Sequence, residues 1–523
     1  MATFIVRRLI AAALILLAAT FLMYNMVALS GDPLEDLRGV QTPQTQQLIE
    51  ARIRLLHLDV PPPLRYFIWL AGIGGCFIGQ CDFGMTVQQQ PVLNVLMNSM
   101  DQTLRLVTVA TVAAIILGIV IGITTALRQY STYDYSVTLM SFLFFSLPIF
   151  WFAVLLKQFL AIGANDWLQS GAQIAPWVIV VAAIVSGLFW MSVLGGDLKR
   201  RLISFGIGAV AAAATLTYMS VSGWFLNPRF IVAGLDFSIV AIAFFMIAIA
   251  LIVVAILAGL KNRRSLFIGL GVAALGVALY YPVLYFVFNP QVLEMNIWIM
   301  ILLALVTIAV GVGIGWVFGG DNKPTNMKIG GWTAFLVAAV IVVDRHMMLW
   351  QSYSNSGFVR GRPIATIGAS NPGFSQSDFF VQSVDAFTHL LLPSIALLVI
   401  SFAVYTRYTR ASLLEVMNQD YIRTARAKGL TERTVIVRHA FRNALIPITT
   451  IVAFDIAGII GGAVITERVF GWTGMGSMFL NGVTRVDPNP VMAFFLVTGA
   501  LALIFNLLAD IAYAALDPRI RVS

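Results

Sequence analysis

Runs of about 20 consecutive apolar residues recur along the whole chain, and nothing constrains its fold more. A stretch of that length crosses the hydrocarbon of a bilayer as a helix, with its backbone polar groups bonded internally. The first runs from Leu9 to Leu29. Of 523 residues, 59% are hydrophobic and only 11% charged, against about 25% charged in soluble domains. The runs are continuous rather than alternating, which argues against a β-barrel. The expected class is an all-α polytopic membrane protein with about 12 transmembrane helices.

Span 1 covers residues 9–29, behind Arg7 and Arg8. It is longer than a signal-peptide core and no cleavage pattern follows, so it is read as retained. Residues 30–101 form a polar external loop with an amphipathic helix from Thr45 to Leu58, stopped at Pro61, Pro62 and Pro63. Spans 2 and 3 cover 104–127 and 136–160, the second kinked at Pro148. Six more follow at 175–194, 202–222, 236–259, 266–288, 296–318 and 330–350. A Gly-, Ser-, Asn- and Pro-rich loop occupies Gln351 to Asp385. Span 10 is 387–406, starting near Pro393; span 11 is 446–466 and span 12 is 491–515.

The net charge of +9 is concentrated in short connections. Arg7 and Arg8, Arg128, the loops GGDLKRR, LKNRRS and GGDNKPTNMKIGG, the stretch Arg407–Arg442, and Arg519 with Arg521 all fall on one side of this span count. The positive-inside rule makes that side cytoplasmic and places both termini there. The charge is thereby explained without nucleic acid. Cys76 and Cys81 lie in the external loop, where a local disulfide and two unpaired thiols are both compatible with the spacing. His57, His346, His389 and His439 are scattered, without metal-ligand spacing.

The longest polar, basic segment of the C-terminal half runs from Arg410 to Pro447. Leu414, Met417, Tyr421 and Ala425 repeat at helical steps, predicting one helix from Ala411 to Lys428 with these residues on a common face. Arg426 and Lys428 suit its C-terminal dipole. Gly429 is placed for a left-handed turn, and Thr431 for the N-cap of a second helix with Glu432 in its first turn. On that helix Val437, Phe441 and Leu445 share a face, Arg438 and Arg442 share another, and Pro447 marks the start of span 11. An ordinary basic loop accounts for the charge but not for the stripe. A DNA-binding helix-turn-helix is disfavoured, because both ends are tied into spans.

The run DYIRTARAKGL…VIVRHAFRNALIP resembles the cytoplasmic signature of binding-protein-dependent ABC importer permeases, in their dipeptide/oligopeptide/nickel branch. In chain order, RRLIAAALILLAATFLMY…SGDP, CDFGMT, SLPIFWFAVLL, HLLLPSIALL, GGAVITERVFGWTGMGSMF and NLLADIAYAALDPRIR resemble other segments of that family. The likeness covers residues 1–160 and 378–523. It implies a six-span permease core, interrupted here by an inserted block of about six spans and an external loop at 161–377. It further implies a coupling helix resting in a cleft of a cytoplasmic ATPase, within the segment 410–447. Carried over by position, the coupling residues are Asp420, Ala425, Ala427, Gly429 and Leu430, supported by Arg438, Asn443 and Pro447. The broader importer motif opens Glu-Ala-Ala, where this chain has Arg423-Thr424-Ala425, so no glutamate acts here. The implied partners are a second permease subunit, two cytoplasmic ATPase subunits and an extracellular substrate-binding protein, in the bacterial cytoplasmic membrane. ATP would be used by the partner subunits, with no cofactor in this chain.

The sequence holds no G-x-x-x-x-G-K-[ST] and no G-x-S-x-G, so no ATPase or hydrolase site is expected. GVGIG at 311–315 lies in an apolar span and reads as helix packing. Asp344, Arg345 and His346 are expected to pair with one another at the end of a span. Asp455, near the middle of span 11, is costly in lipid; it either lines a pathway or pairs with a neighbour such as Asn506. Asn506 and Asp510 are expected to be structural. An alternative is a secondary transporter driven by an ion gradient, which predicts internal repeats that are not evident here. A membrane enzyme lacks any supporting cluster.

Overall fold

The computed structural model describes residues 2–38, 42–232 and 235–516. It is helical nearly throughout. Ten helices among the described residues are long and apolar enough to cross a bilayer. They occupy the positions of spans 2 to 10 and span 12. The helices Ala2–Leu29 and Phe441–Gly462 stand where spans 1 and 11 are expected. The chain is a multi-pass α-helical membrane protein. A strand pair of two residues each, Ile231–Val232 with Leu235–Asp236, closes one loop.

Residues divide into two compact units. Unit 1 holds 1–158, 366–369 and 390–523; unit 2 holds 159–365 and 370–389.

In unit 1 the helix Val92–Leu127 begins well before the expected residue 104. Its buried face carries Leu96, Ser99, Thr103, Leu106, Val107, Ala110, Thr111, Ala114, Gly118, Gly122 and Thr125, at the three- and four-residue steps of one helical stripe. Gly118 and Gly122 meet Tyr405 and Thr409 of the helix Phe379–Met417 across a close crossing. That helix runs through Pro393 instead of starting at it. Pro148 breaks span 3 rather than kinking it: Thr132–Ser146 ends, and a new helical run covers Ile149–Gln169. Proline cannot donate the next backbone bond, and the residue before it is pushed out of helical geometry. Leu147 is accordingly extended. Span 11 likewise ends at Gly462, and a separate helix Val464–Phe470 follows.

The segment after the first helix is more ordered than its polarity suggests. Thr42 caps Pro43–Leu55, accepting a hydrogen bond from the Thr45 amide at 3.2 Å. That helix ends at Leu55, ahead of a left-handed His57 (φ +52°), and so stops before the three prolines rather than at them; the prolines instead start the next helix, Pro62–Gly74, since proline fits the first helical turn. Cys76 and Cys81 are bridged, which decides between the two readings of their spacing. On the same unit Glu467 is fully buried. It accepts from the Thr103 hydroxyl at 2.7 Å and the Ser477 amide at 3.0 Å, so the burial is compensated.

Unit 2 is built of membrane hairpins: Pro176–Leu194 with Leu198–Val221, Ser238–Leu257 with Arg263–Val287, and Ile297–Phe318 with the helix Lys323–Ser354. The glycines of GVGIG do pack: Gly311 lies against Gly330, and Gly315 against Asn326. Asp344, Arg345 and His346 do not pair with one another. Asp344 takes Arg229 at 3.1 Å and the Tyr280 hydroxyl, the Arg345 guanidinium lies over the Phe380 ring, and His346 meets the Ser383 hydroxyl at 2.7 Å. Consecutive helical residues point about 100° apart, so each finds a different neighbour.

Candidate functional site

The basic segment folds as a short helix seated on the ends of longer ones. The expected continuous helix from Ala411 to Lys428 is split: Phe379–Met417 ends, Asn418 and Gln419 interrupt, and Asp420–Ala427 begins afresh. Leu414, Met417 and Ala425 of the expected stripe do pack into one cluster, but the interruption shifts the helical phase so that Ile422 takes the buried place expected of Tyr421. Ile422 and Ala425 are buried, while Tyr421 turns outward. Ile422 and Ala425 join one apolar cluster with Ala126, Leu413, Val435, Ala440 and Ala444. The small side chain of Ala425 therefore permits close approach to the chain's own helices. Asp420, Ala427, Gly429 and Leu430 remain exposed, with Arg423 and Lys428 beside them.

The turn forms as its residues demand. Gly429 adopts φ +76°, and a Cβ there would have nothing within 4 Å, so the glycine is needed for conformation and not for space. Thr431 caps the next turn through the Thr434 amide at 3.4 Å. Arg426 and Glu432 clasp the two sides by paired hydrogen bonds at 3.2 and 2.7 Å. Those bonds hold the Glu432 carboxyl below its ordinary value. Asn443 donates to the Tyr421 hydroxyl at 2.9 Å and ties the second helix back to the first.

The second helix is wound differently from expectation. Val435–Ala440 is π-helical before Phe441–Gly462 continues as α. The wider turn rotates Val437 to the surface, leaving Val435, Ala440 and Ala444 inside. Arg438 and Arg442 are exposed, and Pro447 lies within the helix instead of at its start.

Sequence reasoning missed Asp134. This residue is buried, and Arg410 grips it through two hydrogen bonds, at 2.7 and 2.9 Å. The pair fixes the first residue of the basic segment to the connection after Val92–Leu127. Ser131, which caps the helix carrying Asp134, was the available signal; the partner 276 positions away was not.

Asp455 is half-buried on Phe441–Gly462, beside the Tyr405 phenol. The side chains of Asn506 and Asp510 lie outside the described residues. Among the described residues no cluster of His, Cys, Asp or Glu could hold a metal ion.

Residues 237–522 match the family described as binding-protein-dependent transport system inner membrane component. Among curated relatives, the oligopeptide transport system permease protein OppB of Mycobacterium tuberculosis is 45% identical over 156 residues, 30% of this chain and 48% of that protein. The oligopeptide transport system permease protein AppB of Bacillus subtilis is 46% identical over 136 residues, 26% of this chain and 43% of that protein. The dipeptide transport system permease protein DppB of Escherichia coli is 43% identical over 138 residues, 26% of this chain and 41% of that protein. The chain thus spans just under half the length of these relatives. Since the family match covers more than half of the chain, the protein belongs to the family of binding-protein-dependent transport system inner membrane components.

Proposed function

We propose that this chain is the permease subunit of an ATP-driven importer for peptides or similar small solutes. The observation that carries the reading is the exposed face of Asp420–Ala427 and the turn after it. Asp420, Ala427, Gly429 and Leu430 present a small, basic-flanked knob, and the face behind it is anchored by Ile422 and Ala425. A knob held on both sides can pass a push from a soluble partner into the spans. Arg438 is exposed on the supporting helix, Asn443 braces it through Tyr421, and Pro447 leads into the span.

The partners in this reading are two cytoplasmic ATPase subunits, a second permease subunit and an extracellular substrate-binding protein. ATP is used by the ATPases; this chain carries no phosphate-binding loop and is not itself an enzyme. The Cys76–Cys81 bridge supports an external position for residues 30–101, because disulfides persist in oxidising compartments. Both termini are then cytoplasmic. Peptides as substrate class rest on the names of the relatives. Asp455 is proposed to line the pathway, since an acid in a span is costly unless used.

The test is uptake in proteoliposomes holding the assembled system. Gly429→Arg is expected to abolish uptake and ATPase co-purification while leaving the chain inserted. Normal uptake in that variant, or uptake that persists with both ATPases omitted, overturns the reading. The second result is the one an ion-driven carrier requires.

A further inference from the structure

The connection between Val92–Leu127 and Thr132–Ser146 covers only residues 128–131, and its conformation is demanding. Tyr130 takes φ +61°, a left-handed value uncommon outside glycine. The Asp134 carboxylate holds it there, since Oδ2 accepts from the Tyr130 amide at 3.1 Å. The Tyr133 hydroxyl adds a 2.9 Å bond to the Thr124 hydroxyl of the preceding helix. The same Asp134 carboxylate receives Arg410, with Nε on Oδ1 at 2.7 Å and Nη2 on Oδ2 at 2.9 Å. Such a fork fixes direction as well as distance. Asp134 is 2% exposed, so the pair is little screened.

Arg410 lies two turns before the end of Phe379–Met417, and Leu413 beside it packs with Ile422 and Ala425 of the basic segment. Ala126, at the end of Val92–Leu127, joins the same cluster. The basic segment, the turn at 128–131 and the start of Thr132–Ser146 are thus fastened as one piece. That piece ends before Pro148, where Leu147 is extended and the helix is interrupted. A helix bends at a break of this kind.

We propose, as an inference that rests on the transport reading, that Asp134 is a positioning residue: it carries a displacement of the basic segment into Thr132–Ser146, and the span bends at Leu147–Pro148. Without the Asp134 charge the segment keeps its apolar seat, but its movement no longer reaches the span.

Distances between paired spin labels test this in the chain assembled with its ATPases, before and after addition of ATP with vanadate. Labels on Ser136→Cys and Asn418→Cys, both exposed, are expected to keep one separation in the two states. Labels on Ser136→Cys and Val154→Cys, either side of Pro148, are expected to change separation with nucleotide. Asp134→Asn keeps the shape and an acceptor for the Tyr130 amide. It is expected to broaden the first separation and to cut the shifted fraction of the second about tenfold, while the complex still hydrolyses ATP. Arg410→Gln, on the less buried partner, is expected to match it, which keeps the test open if Asp134→Asn does not assemble. Arg410→Lys retains the charge without the fork and is expected to cut the fraction about threefold. A full shift in both Asp134→Asn and Arg410→Gln, or a first separation that changes with nucleotide in the unaltered chain, overturns the inference and leaves the transport reading standing. So does a loss of hydrolysis in step with the shift, the mark of a merely structural pair. No ATPase binding by the unaltered chain defeats the transport reading, and the inference with it.

Discussion

At Gly429, in unit 1, the backbone turns at φ +76° and nothing lies within 4 Å of where a Cβ would stand. At Gly330, in unit 2, the backbone is helical, and a Cβ would land on the Gly311 carbonyl oxygen. One glycine is required for its conformation and the other for its absence of bulk. The difference extends to the regions around them. Unit 2 relies on close backbone approach and on an ion cluster, so damage there is read as lost stability. The basic segment of unit 1 is exposed and braced at its rear, so substitutions on its outer face leave folding intact and are read in coupling.

The largest effect that would break this contrast belongs to Asp344. Asp344→Ala leaves Arg229 with only Asp236 and frees the Tyr280 hydroxyl. A loss of about 3 kcal/mol is expected, the lower end for breaking a buried pair, measured by thermal unfolding in detergent. Gly330→Ala comes next, at about 1–3 kcal/mol, because the obstructing atom is backbone and cannot rotate away. Gly429→Ala meets no obstruction and is expected to cost about 1 kcal/mol through its positive φ alone. If Gly429→Ala unfolds the chain more readily than Gly330→Ala, the contrast fails.

The smallest effect sharpens the picture at the other end of unit 1. Asp487 is buried before the helix Pro488–Leu516, and burial pushes its carboxyl up to about 6, against the opposing hydrogen bond from the Val87 amide. The folded state then holds this proton more tightly than the unfolded state, whose carboxyl titrates near 4. Stability is fully present below about pH 4 and falls as pH rises to about 6. Asp487→Asn is expected to flatten that slope in a melting series, shifting the midpoint by about 2–4 °C. An unchanged slope would show that Asp487 titrates normally.

Much of the fold was legible beforehand because the bilayer imposes it. Continuous apolar runs and the side on which arginines fall placed the spans within a few residues at most ends. Gly429, Thr431 and Glu432 were legible because a left-handed turn and a helix start have few residue solutions. The one misplaced member of the stripe, Tyr421, had a local cause: two residues, Asn418 and Gln419, interrupt the helix and shift its phase. Periodicity cannot see a break at residues that are individually tolerated in helices. The π stretch at Val435–Ala440 hid the buried face of the second helix in the same way.

The sequence by itself determined the class of the protein, its spans, the turn at Gly429 and its family resemblance. Each follows from local chemistry: hydropathy over about 20 residues, allowed dihedral angles, or a contiguous motif. Only the tertiary structure decided which acid meets which base and which face is buried. Arg410 finds Asp134 across 276 positions, and Thr103 finds Glu467 across 364. These depend on which helices pack together, a long-range choice that no window of sequence contains.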